Sequence, residues 1–128
     1  MFIPFNPNPD ERLTTDCTVR AIALVTGKDW EETYIGLCAV GLRMHDMPNR
    51  NSVWGEYLRM MGFRRYIVPD TCPFCYTVRQ FCRDNPLKAG MLAIGDHVVA
   101  VVNGNYFDTW DSGDEIPMYF YVRETERG

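Results

Sequence analysis

The chain has 128 residues, of which 46% are hydrophobic and 23% are charged, and this composition is typical of one globular domain. The net charge of −4, without any basic run, argues against a nucleic-acid partner, and no stretch approaches the ~20 apolar residues of a membrane span. The first residues, MFIPFNPNPDER, lack the basic start and apolar run of a signal peptide, so we expect a cytoplasmic protein.

The chain begins with a lead-in that we expect to be extended, because it is rich in proline and asparagine. A helix is predicted over residues 14–27. Thr15 or Asp16 is expected to cap this helix, and Gly27 is expected to end it in the left-handed conformation that glycine tolerates.

Two further helices are predicted before the middle of the chain. Residues 29–41 have a helical apolar stripe, and Asp29 is the expected cap. A polar loop follows. Residues 52–62 then form the third predicted helix, with Asn51 or Ser52 as its cap.

The second half of the chain is dominated by predicted strands. Runs rich in β-branched and aromatic residues predict strands at 63–68, 90–95, 97–102, 105–110 and 116–122. A short helix is expected at 77–85, where Thr77 and Gln80 have the spacing of a capping box. Helices first and an antiparallel sheet last indicate an α+β fold.

The cysteines offer a possible nucleophile. There are five, an odd number, and with no secretion signal we expect reduced thiols. Cys17 stands at the predicted start of the first helix, where the helix dipole and unpaired backbone N–H groups favour a thiolate. A buried, unreactive cysteine is the alternative that this position leaves open.

A cysteine nucleophile needs a base, and the chain has two histidines. His45 lies in a polar loop, where we expect it to be solvated. His97 opens a predicted strand, and a side chain at the end of a rigid strand can project into a cleft. His97 is therefore the candidate base, with a solvated histidine at a strand end as the alternative.

The hairpin that follows selects an orienting group for this base. If the Asn-Gly pair at 103–104 forms a two-residue turn, strand pairing places His97, Asp108 and Trp110 on one face. Asp111 falls on the other face. Asp108 is therefore predicted to orient the imidazole, and Trp110 to cover the contact between them.

Three pieces of the sequence, TTDCTVRA, DHVVAV and DTWD, resemble the papain-like cysteine peptidases in type and order. Asp108 stands in the place of that family's asparagine. The chain is more closely similar to small papain-fold cysteine peptidase-like proteins of bacteriophages and bacterial mobile elements, which have C-x-V-R-A, TGKxW, TV-x-x-F-x-x-x-(H/N)-P and HVVAVxxGxYxDTWDS. The counterparts here are residues 17–21, 26–30, 77–86 and 97–112.

The resemblance implies a single papain-like domain over residues 1–128, with the nucleophile helix first and the N-terminal helices packed on a C-terminal antiparallel sheet. It implies a cysteine hydrolase or acyl transferase with a triad of Cys17, His97 and Asp108, no cofactor, and a protein or peptide substrate in the cytoplasm of a bacterial host. The alternative is a catalytically weak or inactive protein of the same fold that binds and inhibits a host protein.

One departure from the family concerns the oxyanion hole. Papain-like enzymes usually carry a glutamine about six residues before the nucleophile, where its amide stabilises the oxyanion. Here that position is Glu11, which cannot donate when ionised. Asn8 or Asn6 is the expected substitute donor if the lead-in folds back towards Cys17.

A second cluster of cysteines carries its own alternatives. Cys72 and Cys75 form a C-x-x-C motif, and Cys82 follows seven residues later. A zinc site or a redox pair is one reading, but no second C-x-x-C and no following βαβ pattern accompany the motif. Ordinary structural thiols are the expectation, and no metal site is predicted.

Overall fold

The computed structural model describes residues 1–69 and 75–123. Within these ranges the chain forms an α+β fold of four helices and one six-stranded mixed sheet. The helices are α1 (Cys17–Thr26), α2 (Trp30–Met44), α3 (Asn51–Met60) and α4 (Val78–Asp84). The strands are β1 (Phe2–Pro4), β2 (Phe63–Ile67), β3 (Ala89–Ile94), β4 (His97–Val102), β5 (Asn105–Asp108) and β6 (Tyr119–Arg123). No helix of the described ranges has the length and apolarity to cross a membrane.

The sheet has the strand order β1-β5-β4-β3-β6-β2. Its neighbouring strands are antiparallel except for β1 and β5, which run parallel with Pro4 opposite Asp108. The expected purely antiparallel sheet is therefore corrected to a mixed one. The N-terminal lead-in forms strand β1 because its backbone pairs with β5. This partner lies about 100 residues away, and three residues of sequence do not predict such a pairing.

Two hydrophobic cores lie on opposite faces of this sheet. Successive side chains of a strand point to opposite faces. Val98 and Ala100 of β4 accordingly pack in the core formed with α1, α2 and α3, whereas Val99 and Val101 pack in the core formed with α4. The middle of β4 is thus buried on both sides, and only its ends are free to carry polar side chains.

Three local signals in the sequence are confirmed at helix ends. Gly27 ends α1 with a φ of 74°, and the Asp29 side chain caps α2 by accepting a hydrogen bond from the Glu32 backbone N–H at 2.7 Å. Thr77 and Gln80 form the predicted capping box at α4.

The end of α2 was predicted wrongly at Gly41, because the helix continues to Met44. Gly41 is buried, and a Cβ atom there would lie 2.7 Å from the backbone oxygen of Asp46. The glycine therefore allows a close approach of the following loop and does not end the helix. His45 adopts the left-handed conformation that ends α2, and it is exposed.

The start of α3 was also predicted wrongly. Arg50 occupies the cap position without a side-chain capping hydrogen bond, and Asn51 is the first helical residue. The Asn51 amide instead donates to the Tyr119 hydroxyl at 2.7 Å and its oxygen accepts from the Trp54 indole at 3.2 Å. A side chain that resembles a cap in the sequence is here a bridge to β6.

Gly90 provides a test of the spacing between β3 and β6. A Cβ atom at Gly90 would lie 2.2 Å from the backbone oxygen of Tyr121. We expect Gly90→Ala to lower the free energy of unfolding by about 3 kcal/mol in urea titrations, because the clash is with backbone and forces the strands apart. Gly27→Ala is the control. Apart from its chain neighbours, no atom of the described residues lies within 4 Å of a Cβ atom added there, and only the left-handed backbone costs about 1 kcal/mol. Equal losses in the two variants would contradict the role of strand spacing.

Candidate active site

The hairpin of β4 and β5 brings two polar residues to one end of the sheet. Asn103 and Gly104 have φ angles of 52° and 81°, the positive values that the predicted two-residue turn requires. Val102 lies opposite Asn105, as predicted, so no bulge changes the register. His97 at the start of β4 and Asp108 at the end of β5 therefore lie side by side.

His97 and Asp108 form a short hydrogen bond. The imidazole Nε2 lies 2.6 Å from the Asp108 Oδ2, and Asp108 is only 2% exposed. The choice of Asp108 over Asp111 agrees with this geometry, since Asp111 accepts its own hydrogen bond from the Tyr106 hydroxyl at 2.5 Å. The Nε2 contact with Asp108 leaves Nδ1 as the imidazole nitrogen available to the Cys17 thiol, and the interaction of His97 with Cys17 shifts the pKa of both groups.

Cys17 is the first residue of α1, and its thiol is partly buried. Burial acts to raise the pKa of this thiol. The hydrogen bond with His97, the backbone of Val98 and the positive charges of His97 and Arg20 act in the other direction and prevail. The pKa of Cys17 is therefore held below its ordinary value, as a reactive cysteine requires.

The imidazole of His97 has the complementary shift. Burial acts to lower its pKa, but the hydrogen bond to Asp108 and the hydrogen bond to Cys17 raise it to about 9. The lowered pKa of the thiol and the raised pKa of the imidazole both act in the direction that a thiolate–imidazolium pair requires.

Asp108 receives more hydrogen bonds than the one from His97. Its Oδ2 accepts from the Ser112 hydroxyl at 2.8 Å and its Oδ1 from the backbone N–H of Thr109 at 2.8 Å. Burial acts to raise the pKa of Asp108, but these bonds and the His97 charge hold it below its ordinary value. The Asp108 backbone oxygen is fixed as well, by the N–H of Phe5 at 2.8 Å.

A buried arginine completes the surroundings of Asp108, and the sequence reasoning assigned it no role. Arg20 is 6% exposed, and its guanidinium lies 3.2 Å from the Asp108 Oδ1. The same guanidinium pairs with Asp16, whose Oδ2 also accepts from the indole of Trp30 at 2.9 Å. The i, i+4 spacing of Asp16 and Arg20 was a visible signal for their pair, whereas the link to Asp108 is long-range.

The bonds that join Asp16, Arg20 and Asp108 also change the start of α1. Asp16 occupies the cap position, as expected, but its side chain makes no capping hydrogen bond. Its carboxylate is committed to Arg20 and Trp30 instead. The predicted cap position at Asp16 is therefore confirmed, but the side-chain hydrogen bond expected of a cap is absent, because a buried cation is the stronger partner for the carboxylate.

Trp110 lies beside the imidazole, as predicted from the strand pairing. Its ring centroid is 5.0 Å from that of His97, at an interplanar angle of 35°. The side chain remains 45% exposed. Trp110 therefore shields one side of His97 from water while its outer surface stays open, which is a suitable wall for an approaching substrate.

Asn8 is buried, but its contacts are local. Its side-chain oxygen accepts from the backbone N–H of Asp10 at 2.9 Å, and its backbone N–H donates to the Asn6 side chain at 3.2 Å. These bonds fold the lead-in into a tight turn, in which the exposed Glu11 takes a positive φ of 54°. The contacts of Asn8 do not reach Cys17, so its part in an oxyanion hole stays a prediction.

The remaining thiols have different surroundings. Cys75 is exposed and Cys82 is buried, and burial raises the pKa of Cys82 to about 11. Cys72, the other half of the C-x-x-C motif, lies outside the described residues. Within residues 1–69 and 75–123, no group of three or more histidine, cysteine or acidic side chains is arranged to hold a metal ion.

No protein-family model matches the chain, and neither a curated protein nor a solved structure matches it. What the site can do follows from the contacts of its own residues. A thiol with a lowered pKa, an imidazole within hydrogen-bonding reach and a buried carboxylate behind the imidazole are the parts of nucleophilic catalysis by cysteine.

Ser112 provides a test of the Asp108 surroundings. Ser112 is fully buried and donates to a carboxylate, so we expect Ser112→Ala to lower the free energy of unfolding at pH 7 by about 1.5–3 kcal/mol. The folded pKa of Asp108 lies below its unfolded value, so this contribution is present above the unfolded pKa and is lost as the pH falls through the folded pKa. The loss measured in urea should therefore shrink in acid.

The control for this variant is Ser52→Ala, which removes an exposed hydroxyl from α3. It should change the free energy of unfolding by less than about 0.5 kcal/mol at every pH. A loss in Ser112→Ala that is the same at pH 7 and in acid would mean that the hydroxyl contributes packing and not a bond to an ionised Asp108.

Proposed function

We propose that this protein is a cysteine-dependent hydrolase or acyl transferase that acts on the carbonyl of a peptide, an isopeptide or a side-chain amide. Cys17 is the nucleophile, His97 is the general base and then the general acid, and Asp108 orients the imidazole. The observation that carries the proposal is the 2.6 Å contact of His97 with the buried Asp108, and the opposite pKa shifts that Cys17 and His97 cause in each other support it.

The reaction follows from the charges of these three groups. The Cys17 thiolate attacks the substrate carbonyl carbon, and the negative charge passes to the carbonyl oxygen. The imidazolium of His97 gives its proton to the departing amine, so that a thioester to Cys17 remains. His97, now neutral, takes a proton from water or from a second amine, which attacks the thioester and releases the free thiolate. Asp108 stabilises the charged imidazole throughout.

The start of α1 supplies part of the oxyanion hole. The backbone N–H of Cys17 is the first of the helix, and first-turn N–H groups have no acceptor within their own helix. These groups and the helix dipole favour the negative charge of the tetrahedral intermediate. A side-chain donor is the second part, and we assign it to the amide nitrogen of Asn8.

We further propose that the fold is papain-like and that the protein is encoded by a bacteriophage or a bacterial mobile element and acts in the cytoplasm of the host. The arrangement that supports a papain-like fold is a nucleophile at the start of a helix packed on the sheet, with the base and the carboxylate on adjacent strands. The source and location rest on the resemblance of the sequence motifs.

The second candidate is a non-catalytic binding protein on the same scaffold. The observation that favours it is Glu11, which stands in the place of the family's amide donor, is exposed and cannot donate when ionised. A site with an activated thiol but a weak oxyanion hole would react with alkylating agents without turning over an amide. Reactivity and turnover must therefore be measured separately.

Selective alkylation tests the ion pair. At pH 6, we expect iodoacetamide to modify Cys17 about tenfold or more faster than the exposed Cys75, because only a thiolate reacts and the pKa of Cys17 is lowered. In His97→Ala the profile should move to that of an ordinary thiol near pH 8.5. Mass spectrometry of the digested protein resolves each cysteine, and Cys75 serves as the internal control. An unselective reaction above pH 8 in the wild type would contradict the proposal.

Turnover needs its own assay. Peptide and protein substrates are incubated with the wild type and with Cys17→Ala, and new termini, released ammonia and products with an added primary amine are measured. These products distinguish a peptidase, a deamidase and a transferase. Selective alkylation without any of these products in a broad substrate panel would favour the binding protein over the enzyme.

Asn8→Asp tests the assignment of the oxyanion donor. The aspartate keeps the oxygen that accepts from Asp10 but lacks the amide donor, so the local turn is retained. We expect kcat to fall by about 10²–10³. Asn6→Asp is the matched control and should retain kcat. An unchanged kcat in Asn8→Asp would mean that the donor is another group.

A further inference from the structure

Arg20 is a buried cation that the three-residue mechanism does not use. It lies almost one turn after Cys17 on α1 and is 6% exposed. One guanidinium nitrogen pairs with Asp16, and the other lies 3.2 Å from the Asp108 Oδ1. The guanidinium therefore joins the start of its own helix to the carboxylate at the end of β5.

The charges of the site explain why a second cation is needed. In the reactive state the thiolate of Cys17 and the carboxylates of Asp16 and Asp108 are all negative. The imidazolium of His97 can balance one of them. An uncompensated charge in a buried site is strongly unfavourable, and the site relieves it by taking up a proton. The thiolate, which protonates most readily of the three anions, is the group that would be lost.

We propose that Arg20 is a positioning residue that supplies the second positive charge of the site and holds Asp108 in place behind His97. This inference rests on the proposed function, because it concerns the reactive state of the same cysteine. Arg20 acts through Asp108 and through its charge, and it does not contact the reacting atoms. By sharing the negative charge of Asp108, it leaves the imidazolium available to the thiolate.

The shape of the side chain fits this role. A guanidinium presents several N–H donors in a planar fork, so that two of its nitrogens can bind carboxylates from different parts of the fold. The charged groups that interact with Arg20 are Asp16 at the cap of α1, Cys17 at its start and Asp108 from β5. His97 from β4 lies on the other side of Asp108, at its Oδ2. From α2, the Trp30 indole holds the far oxygen of Asp16. A lysine can offer the charge but not the fork.

The test is the pH profile of Cys17 alkylation in four variants and the wild type. Arg20→Met should move the midpoint up by about one pH unit or more, because a neighbouring opposite charge is removed. Arg20→Lys keeps the charge and should move the midpoint by less than half as much as Arg20→Met does. Asp16→Asn with Arg20→Met removes one negative and one positive charge together and should restore part of the shift. Arg59→Met, an exposed arginine of α3, is the control and should leave the midpoint unchanged.

The variants also separate charge from fold. Circular dichroism and urea unfolding show which variants fold, and if Arg20→Met does not, Arg20→Lys and the double variant decide the question. A wild-type midpoint in every folded Arg20 variant would overturn the proposal and leave the proposed function intact. Equal shifts in Arg20→Lys, Arg20→Met and the double variant would also overturn it, since they would indicate packing alone. An ordinary thiol profile in the wild type would instead overturn the proposed function.

Discussion

The burial of one carboxylate, that of Asp108, constrains the rest of the site. An ionised group with 2% exposure is tolerated only when several donors surround it, and here they come from different elements. His97 approaches from β4 and Arg20 from α1, while Ser112 closes the site from the following loop. Because each donor must stay within hydrogen-bonding distance, the needs of this carboxylate fix how the helix, the hairpin and the loop meet.

The same network leaves the first backbone N–H groups of α1 without a side-chain cap. Asp16 stands at the cap position but binds Arg20 and Trp30, so the helix forgoes a side-chain cap that is typically worth about 1 kcal/mol. The first-turn N–H groups then keep their positive character beside Cys17. A capped helix would be more stable but would offer less to a thiolate or an oxyanion, so the loss of helix stability is consistent with a site that must attract negative charge.

The sequence predicted those features whose causes are local. The turn at Asn103-Gly104, the end of α1 at Gly27 and the capping box at Thr77 each depend on residues within a few positions, and each is confirmed. The errors have distant causes. Gly41 allows the 46–48 backbone to approach, Asn51 bridges to β6, and β1 exists because β5 accepts it. A single sequence does not reveal which distant segment will supply such a partner.

The features of the site also divide into those with local causes, which the sequence predicted, and those with distant causes. Strand alternation alone placed Asp108 and Trp110 beside His97, because a tight hairpin fixes which side chains are neighbours. The sequence paired Cys17 with His97 as a nucleophile and its candidate base, but no local pattern showed how the two come together. The physical cause is packing, because Ala21 and Ile22 of α1 share a core with Val98 of β4. That core sets the distance between helix and strand, so the activation of the thiol depends on apolar residues one turn beyond it. The buried contact of Arg20 with Asp108 then sets the direction in which the start of α1 faces the imidazole.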